Sequence, residues 1–486
     1  MKVAMSRNRR GLALLVTVAL ALAGCTADPK PPESRSVPTP GATPSVTPGP
    51  AGVGDSYFPT AGNSGYDVER YTLKVRYDPA RDELRGTATV RATATAELPL
   101  FHLDLAGLTV RRVTVDGSPA RHAREGTELV VTPAAPVRSG TAFTVEVGYD
   151  GQPVPLPNEA IGEGGWLHTA DGAIALGQPE SASTWFPVND HPSDKAAYDF
   201  EITVPKGLVA VANGVPQGQR PAAGGWTTWR WSEATPMASY LSTVVIGKYR
   251  TSTGEHRGRP VFSAVASSLP RGAADESIAG TLAVADYLET VFGPYPFGAY
   301  GGVVVDEPRI RYALETQSRP VYSANFFRTG VNTGVVAHEI AHQWFGDSVS
   351  VARWEDIWLN EGLATYAEWL WAEHQGRDTA QATFDQQYTA SDDQVWRVPP
   401  AAPGVANLFS ESVYQRGGMT VHALRVAVGD DAFFRLLKAW ATEKRNGNAT
   451  TAEFVATAER VSGQQLDDLF AAWLYGTERP PPPTRR

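Results

Sequence analysis

The sequence predicts a multidomain α+β protein in which an antiparallel β-rich domain precedes a mixed domain with a helical C-terminal portion. The chain has 486 residues, of which 42% are hydrophobic and 20% are charged, and this balance excludes a wholly disordered or collagen-like protein. At roughly 150 residues per domain, the length corresponds to two or three domains. Hydrophobic residues alternate with a period of two up to about residue 250, and the pattern becomes helical afterwards. We therefore expect a β domain at 57–250 and a second domain at 251–478.

The alternation in the first domain is typical of short strands that bury one face. Turn sequences such as Asp116-Gly117 and Asp150-Gly151 separate the alternating segments. Many short strands at this spacing favour an antiparallel sandwich or saddle of sheets. The predicted strands lie at 71–77, 87–92, 108–115, 143–149, 199–204 and 240–246.

Helical periodicity dominates the second domain, apart from a compact apolar strand at 301–305. One helix is predicted at 333–345, with Asn332 or Thr333 as its N-cap and Gly346 just beyond its end. A second long helix follows Asn360 and runs to about residue 374. Further helices are predicted at 274–291, 417–428, 431–443, 451–460 and 464–475.

The N-terminus resembles a bacterial export signal. Basic residues in the first ten positions precede an apolar run at 11–24, which is too short for a comfortable membrane span and ends in Leu22-Ala23-Gly24-Cys25. This ending looks like a lipobox, so 1–25 is interpreted as a lipoprotein signal peptide with Cys25 as the lipidated residue. The alternative is an ordinary signal peptide with an incidental cysteine. We expect an exported protein anchored through its lipid on the extracytoplasmic face of a membrane.

Composition defines the remaining segments and excludes some partners. Residues 26–56 are rich in Pro and Thr and are interpreted as a disordered tether, and the Pro-rich tail at 479–486 is also expected not to fold. The formal net charge of −9 argues against a nucleic-acid surface. Because Cys25 is the only cysteine, an intramolecular disulfide and a thiolate metal cluster are excluded.

A metal-binding motif is the strongest functional signal. His338 and His342 are four residues apart on a predicted helix, so both imidazoles can reach one ion, while Glu339 can stand beside it and accept a proton from water. Glu361 follows His342 after eighteen residues and lies in the first turn of the next helix, where it can supply a third ligand. Two His and one Glu leave a position open for water, as a catalytic zinc site requires. The ligand types suggest one Zn²⁺, although another divalent ion could bind them.

The spacing of this motif resembles that of the aminopeptidase N family, a branch of the gluzincin zinc metallopeptidases that includes leukotriene hydrolase. The resemblance rests on the run from His338 to His342 and on Glu361 within an Asn-Glu-Gly sequence, and it covers about residues 66–480. It implies an N-terminal β saddle followed by a thermolysin-like catalytic domain. It also implies a short member without the C-terminal helical domain of larger members.

The resemblance extends to four further residues. Tyr414 lies in a Tyr-Gln-Arg-Gly segment similar to the family's Tyr-Glu-Lys-Gly, which implies that its hydroxyl stabilises the oxyanion. Glu315 lies in Tyr-Ala-Leu-Glu-Thr, which resembles the family's exopeptidase motif Gly-x-Met-Glu-Asn in its carboxylate and implies a ligand for the substrate amine. Gln178 and Glu180 resemble the family's Gln-x-Glu stretch and imply a lining amide and a second carboxylate at that amine. His191 is interpreted as a surface or loop histidine.

These residues together predict a zinc aminopeptidase that acts at the cell surface on peptides with a free N-terminus. Glu339 is the expected general base and Tyr414 the expected oxyanion donor. Two alternatives stay open: a zinc endopeptidase or other hydrolase without an amine anchor, and a non-catalytic peptide-binding lipoprotein. The preferred N-terminal residue and the oligomeric state do not follow from the sequence.

Overall fold

The computed structural model describes residues 51–158 and 161–484. The predicted signal peptide with Cys25 and most of the predicted tether lie outside the described residues. Within the described part of the chain, no helix is long and apolar enough to cross a membrane. The predicted order, a β-rich domain followed by an α+β domain, is confirmed.

The first domain is built around an eight-stranded sheet with the order β14-β15-β12-β1-β2-β8-β4-β5. Strand β1 buries one face, as its alternating sequence predicts: Tyr71, Leu73, Val75 and Tyr77 are buried, while the residues between them face outward. A five-stranded sheet, β13-β16-β11-β10-β9, and a three-stranded sheet, β3-β7-β6, complete the domain. The strands are β1 (Tyr66–Asp78), β2 (Glu83–Ala94), β3 (Phe101–Asp104), β4 (Thr109–Val115), β5 (Ser118–Pro119), β6 (Arg121–Glu125), β7 (Glu128–Thr132), β8 (Ala142–Gly151), β9 (Leu156–Asn158), β10 (Gly162–His168), β11 (Ala173–Leu176), β12 (Lys195–Pro205), β13 (Val209–Ala212), β14 (Val215–Ala222), β15 (Trp226–Ala238) and β16 (Val244–Gly247).

One pairing in the large sheet differs from the predicted antiparallel arrangement. Strands β1 and β12 run parallel, with Tyr71 opposite Tyr198 and Leu73 opposite Phe200. Parallel neighbours need a long crossover connection, and here more than 100 residues separate the two strands. Alternation within each strand gives no information about such a distant partner.

The second domain contains a five-stranded mixed sheet with the order β17-β18-β19-β21-β20. The predicted apolar strand at 301–305 is the fully buried central strand β19. The strands are β17 (Tyr249–His256), β18 (Arg259–Ala266), β19 (Tyr300–Val305), β20 (Ala313–Leu314), β21 (Val321–Ser323), β22 (Ser350–Val351) and β23 (Asn448–Ala449). The helices are α1 (Ala273–Ala279), α2 (Thr281–Phe292), α3 (Thr333–Ala341), α4 (Trp358–His374), α5 (Ala380–Ala390), α6 (Asp393–Arg397), α7 (Gly417–Val428), α8 (Asp430–Glu443), α9 (Thr451–Ser462) and α10 (Asp467–Phe470).

Three predicted helices differ in the structure. The helix predicted at 333–345 ends at Ala341, and residues 342–344 form a turn. The helix predicted at 274–291 is divided into α1 and α2 at Gly280, where a Cβ would lie 3.2 Å from Thr333 Cγ2 at the start of α3. The helix predicted at 464–475 begins at Asp467 and widens into a π-helical turn at Ala471–Tyr475. Periodicity predicts the apolar faces of these segments, but tertiary contacts determine where each helix breaks.

The segment just before the first domain packs against both domains. Asp55, in the predicted tether, is buried and accepts a hydrogen bond from the Trp354 backbone N–H at 2.9 Å. Its carboxylate also lies 3.2 Å from His191 Nε2. The interpretation of His191 as a surface residue is therefore wrong: it lies in a loop but is only 1% exposed, because it is enclosed with this carboxylate.

The Pro-rich tail also makes packing contacts at its start, without forming a helix or strand. The Pro480 carbonyl accepts a hydrogen bond from the Tyr388 hydroxyl at 2.7 Å. The Arg479 guanidinium lies over the rings of Tyr388 and Trp396. Residues 479 and 480 therefore pack against the second domain.

Candidate metal centre and active site

Two helices carry the predicted metal ligands. Helix α3 begins as predicted at Asn332, whose side chain accepts hydrogen bonds from the backbone N–H groups of Gly334 and Val335. His338 lies in this helix, and His342, one turn later on the same face, directly follows its last residue, Ala341. Helix α4 packs beside α3 and carries Glu361 in its first turn.

The Glu361 carboxylate lies at distances from both imidazoles that suit zinc. Glu361 Oε2 is 3.4 Å from His338 Nε2 and 3.4 Å from His342 Nε2. Two atoms that bind one tetrahedral zinc at about 2.0–2.1 Å lie about 3.3–3.4 Å from each other. The donor set of two imidazoles and one carboxylate, all buried, therefore fits the ion that the sequence predicts.

Outer contacts fix the orientation of both imidazoles. His338 Nδ1 donates to Glu368 Oε1 at 2.7 Å, and His342 Nδ1 donates to the Phe345 carbonyl at 3.0 Å. With the Nδ1 proton held in this way, the Nε2 lone pair of each ring is directed at the metal position. Sequence reasoning missed Glu368, although it lies seven residues after Glu361 on the same face of α4.

Substitution of Glu368 by glutamine is expected to weaken zinc binding by about 10- to 100-fold, because the His338 ring loses a charged acceptor that orients it. Competition with a chromogenic chelator would measure the affinity. Glu411→Gln, at an exposed position, is the matched control for the loss of one charge. Equal zinc affinities of the two variants would contradict a role for Glu368.

Helix α4 can approach its neighbour α7 closely because two glycines face each other. A Cβ added to Gly362 would lie 2.9–3.2 Å from the backbone of Gly417, a distance that side-chain rotation cannot relieve. Gly362 follows Glu361 directly, and Gly417 follows the segment that carries Tyr414. This contact therefore sets the distance between a metal ligand and the predicted oxyanion donor.

Gly362→Ala is expected to destabilise the protein by about 2 kcal/mol, because the added methyl forces the two helix backbones apart. Chemical denaturation would measure the free energy of unfolding. Gly254→Ala is the control, since a Cβ there would meet nothing within 4 Å. A Gly362→Ala protein as stable as the control would show that the two helices can separate without cost.

The predicted base, Glu339, lies in an environment whose contributions to its pKa oppose one another. Glu339 is 4% exposed, and burial outweighs the effect of His338 and His342 and raises the pKa of its carboxyl to about 8. Glu361 shows the opposite balance: the two histidines outweigh burial and lower its pKa to about 2. The two carboxyls, which neighbour the same pair of histidines, therefore have pKa values shifted in opposite directions.

A second group of residues converges on Glu315. Its Oε1 accepts hydrogen bonds from Gln178 Nε2 at 3.3 Å and from the Tyr240 hydroxyl at 3.1 Å. Burial, partly offset by His342, raises the pKa of the Glu315 carboxyl. Tyr240 was predicted only as part of a strand, because its contact with Glu315 joins segments 75 residues apart.

Glu180, the second carboxylate predicted at the amine, has charged neighbours other than those of Glu315. It is half-buried in the turn after Gln178, but it is not among the residues that line the cavities at the metal site. Burial and the negative charges of Asp190 and Asp55 raise its pKa to about 7. The structure thus brings Gln178 and Glu315 together, whereas the charged neighbours of Glu180 belong to the first domain and the segment before it.

Tyr414 lies over the metal-binding helix. Its ring stacks on that of His338 with 5.9 Å between centroids. Burial, together with the carboxylate of Glu361, raises the pKa of its phenol well above the ordinary value, so the hydroxyl remains a proton donor. The turn that carries it is held by the buried Arg416, whose guanidinium donates to the carbonyls of Trp473 and Trp396.

Two connected cavities give access to these groups. The inner cavity, of about 380 Å³, is lined by the three ligands together with Glu315, Glu339 and Glu368. The outer cavity, of about 750 Å³, is wider and includes Glu163, Arg309 and Phe409. Five residues line both: Gln178, Arg311, Tyr312, Ala313 and Tyr414. The amine-side residue Gln178 and the oxyanion-side residue Tyr414 are therefore both on the wall that the two cavities share.

Comparison with known families identifies both domains. The Peptidase M1 N-terminal domain matches residues 67–241, and the Peptidase family M1 domain matches residues 292–473. Aminopeptidase N of Streptomyces lividans is 23% identical over 444 residues, which are 84% of this chain and 50% of that protein. Aminopeptidase M1-D of Oryza sativa is 26% identical over 437 residues, or 83% and 49% of the two chains. The chain thus spans about half the length of these curated relatives.

A solved structure matches over nearly its whole length. The crystal structure of an M1 zinc metallopeptidase from Deinococcus radiodurans superposes with a TM-score of 0.82 and 31% identity, covering 89% of this chain and 99% of that one. A Glu-to-Ala mutant of the Deinococcus radiodurans enzyme, bound to a Tyr-Ser-Ala substrate, gives a TM-score of 0.81. Both domains and their order are therefore shared with a zinc metallopeptidase.

Proposed function

Because the chain belongs to peptidase family M1, we propose that it is a zinc aminopeptidase that removes the first residue from peptides with a free N-terminus. The observation that carries the proposal is the convergence of two sets of residues in one cavity. His338, His342 and Glu361 form the ligand set, and Glu315 stands with Glu339 and His342 in an adjoining buried group. The first set suits hydrolysis and the second suits recognition of a charged amine.

His338, His342 and Glu361 would hold the ion, which when bound supplies Lewis acidity and activates water for attack. Glu339 accepts the proton of the attacking water and returns it to the nitrogen of the leaving amine. Tyr414 donates its hydroxyl hydrogen to the oxyanion that develops on the scissile carbonyl. The raised pKa of Tyr414 supports this role, because a phenolate could not donate.

The amine of the first residue is placed by Glu315, with Gln178 beside it. A buried carboxylate is costly unless a cation or hydrogen bonds stabilise it, and an ammonium group supplies both a charge and donors. This explains selection of a free N-terminus over an internal peptide bond. The role of Glu180 as a second carboxylate at the amine remains a prediction.

A pair of substrates tests the proposal. An alanine arylamide should be hydrolysed, and its N-acetylated twin should react at least about 100-fold more slowly, because it lacks the cation that Glu315 binds. Chelation should abolish the first activity, and added Zn²⁺ should restore it. Equal hydrolysis of the two substrates would favour an endopeptidase without an amine anchor, and hydrolysis of neither would favour a peptide-binding protein.

We also propose, from the N-terminal sequence alone, that the protein is exported and anchored by lipid on Cys25. The apolar run that ends at this cysteine supports the proposal. Cys25→Ser expressed in a bacterial host should move the protein from the membrane fraction to the soluble exported fraction. Membrane association that survives this substitution would contradict lipid anchoring.

A further inference from the structure

An arginine with no side-chain partner among the described residues lines both cavities. Arg311 lines both the inner and the outer cavity and is exposed. Among the described residues, its side chain makes no hydrogen bond, ion pair or ring contact. Arginine at a binding cleft is suited to planar anions, because its guanidinium can donate two parallel hydrogen bonds to a carboxylate.

The other arginine in the cleft is already neutralised. Arg309 Nε donates to Glu307 Oε1 at 2.9 Å, and Glu163 Oε2 lies 3.8 Å from its Nη1. The acidic side chains that line the inner cavity belong to the metal and amine sites: Glu315, Glu339, Glu361 and Glu368. Of the described residues that line the two cavities, Arg311 is therefore the cation left for a ligand.

The position of Arg311 relates it to the first residue of a substrate. Gln178 and Tyr414, which flank the amine and the oxyanion in the proposed function, line both cavities as Arg311 does. A first residue bound between Gln178 and Tyr414 therefore lies in a space that Arg311 also lines. Arg311 also precedes Glu315 by four positions, a stretch of at most about 14 Å.

The length of a dipeptide also brings its carboxyl terminus into consideration. Two extended residues span about 7 Å, so a dipeptide whose amine is held at Glu315 places its terminal carboxylate within about that distance of Glu315, in or next to the cavity that Arg311 also lines. An acidic side chain on the first residue and a terminal carboxylate on the second thus offer the same chemical group to Arg311.

We propose that Arg311 binds a substrate carboxylate close to the N-terminus, either the side chain of a first-position Asp or Glu or the C-terminal carboxylate of a dipeptide. This inference rests on the proposed aminopeptidase function and specifies its substrate class. Arg311 acts here as a specificity residue that touches the substrate, since it lines the cleft beside the amine and oxyanion groups.

Matched substrate pairs test the proposal in two arms. The first compares kcat/KM for glutamate and glutamine arylamides, and the second compares Ala-Ala with Ala-Ala amide. In at least one arm, Arg311→Gln should reduce the preference for the charged member by about tenfold. Arg311→Lys should keep part of that preference, and the control Arg309→Gln should keep it within about twofold. The arm that responds identifies the source of the carboxylate.

Each preference is the ratio of two kcat/KM values measured with the same variant, so a general change in activity cancels from the ratio. Preferences that are the same in Arg311→Gln as in the unmodified protein, or that fall equally in Arg309→Gln, would overturn the proposal.

A binding measurement separates this inference from the proposed function. Calorimetric titration of L-glutamate and L-glutamine into the zinc-loaded Glu339→Gln protein should favour glutamate, and adding Arg311→Gln should remove that difference in Kd. If the unmodified protein hydrolyses no arylamide but this difference is found, the proposed function fails and the carboxylate site stands. If the unmodified protein hydrolyses arylamides, but substitution of Arg311 changes neither the kinetic nor the binding preference, only the carboxylate site fails.

Discussion

Glu339→Gln is expected to lower kcat by about a thousandfold while the protein keeps one zinc ion. The amide has nearly the same shape as the carboxyl but cannot accept the proton of the attacking water, and general base catalysis contributes typically about 10²–10⁴-fold. Metal content should not fall, because Glu339 is not one of the three converging ligands, His338, His342 and Glu361. Steady-state kinetics with an alanine arylamide and zinc analysis of the same sample would measure both quantities.

A surface carboxylate provides the matched control for Glu339→Gln. Glu276 lies exposed at the start of α1, and Glu276→Gln removes the same charge without touching the cleft. Its kcat should stay within about twofold of the unmodified protein. Substantial turnover by zinc-loaded Glu339→Gln would refute the assignment of the base, and loss of zinc would move Glu339 into the ligand set.

Tyr414→Phe is expected to reduce kcat by about 10²–10³ with little change in KM. Removal of one oxyanion donor has an effect of this size, and it acts on the transition state more than on the bound substrate. The phenyl ring keeps its stacking on His338, so the metal site should persist. Arylamide kinetics at several substrate concentrations would separate kcat from KM.

The exposed Tyr475 supplies the comparison for Tyr414. Tyr475→Phe removes a hydroxyl from the π-helical turn near the C-terminus and should leave both kinetic constants within about twofold. If Tyr414→Phe behaves in the same way, the tyrosine over His338 is a packing residue and the oxyanion is stabilised without it.

The convergence of His338, His342 and Glu361 could be predicted from the sequence because its geometry is largely local. His338 and His342 are one helical turn apart, and a helix that starts near Glu361 fixes where that carboxylate points. Only the packing of α4 against α3 is non-local, and the fixed spacing of eighteen residues encodes it. The prediction that Gln178 and Glu315 share a cleft is likewise consistent with their hydrogen bond.

Residues whose roles depend on distant packing could not be predicted in this way. Asp55 lies in a Pro-rich stretch whose composition gives no sign of a buried carboxylate, yet it contacts Trp354, 299 positions away. The burial of His191 also depends on a distant contact, because the Asp55 carboxylate that encloses it lies 136 positions away. Tyr240 and Glu368 act through single side-chain contacts made by the tertiary fold, and a periodic pattern contains no information about such contacts.

The helical breaks and the parallel strand pair have a similar explanation. Gly280 interrupts an apolar pattern that continues on both sides, at a point where the start of α3 lies so close that a Cβ would be 3.2 Å from Thr333 Cγ2. The alternating sequence of strand β12 does not show that this strand pairs with β1 in parallel. Local sequence predicts the type of each element, whereas its boundaries and neighbours follow from the assembled core.

Anomalous X-ray diffraction from crystals of the zinc-loaded protein, recorded on both sides of the zinc absorption edge, tests the central claim most directly. We expect a single peak about 2.0–2.2 Å from His338 Nε2, His342 Nε2 and a Glu361 carboxylate oxygen, with water in the remaining position. A peak elsewhere, or a fourth protein ligand in place of that water, would contradict the account.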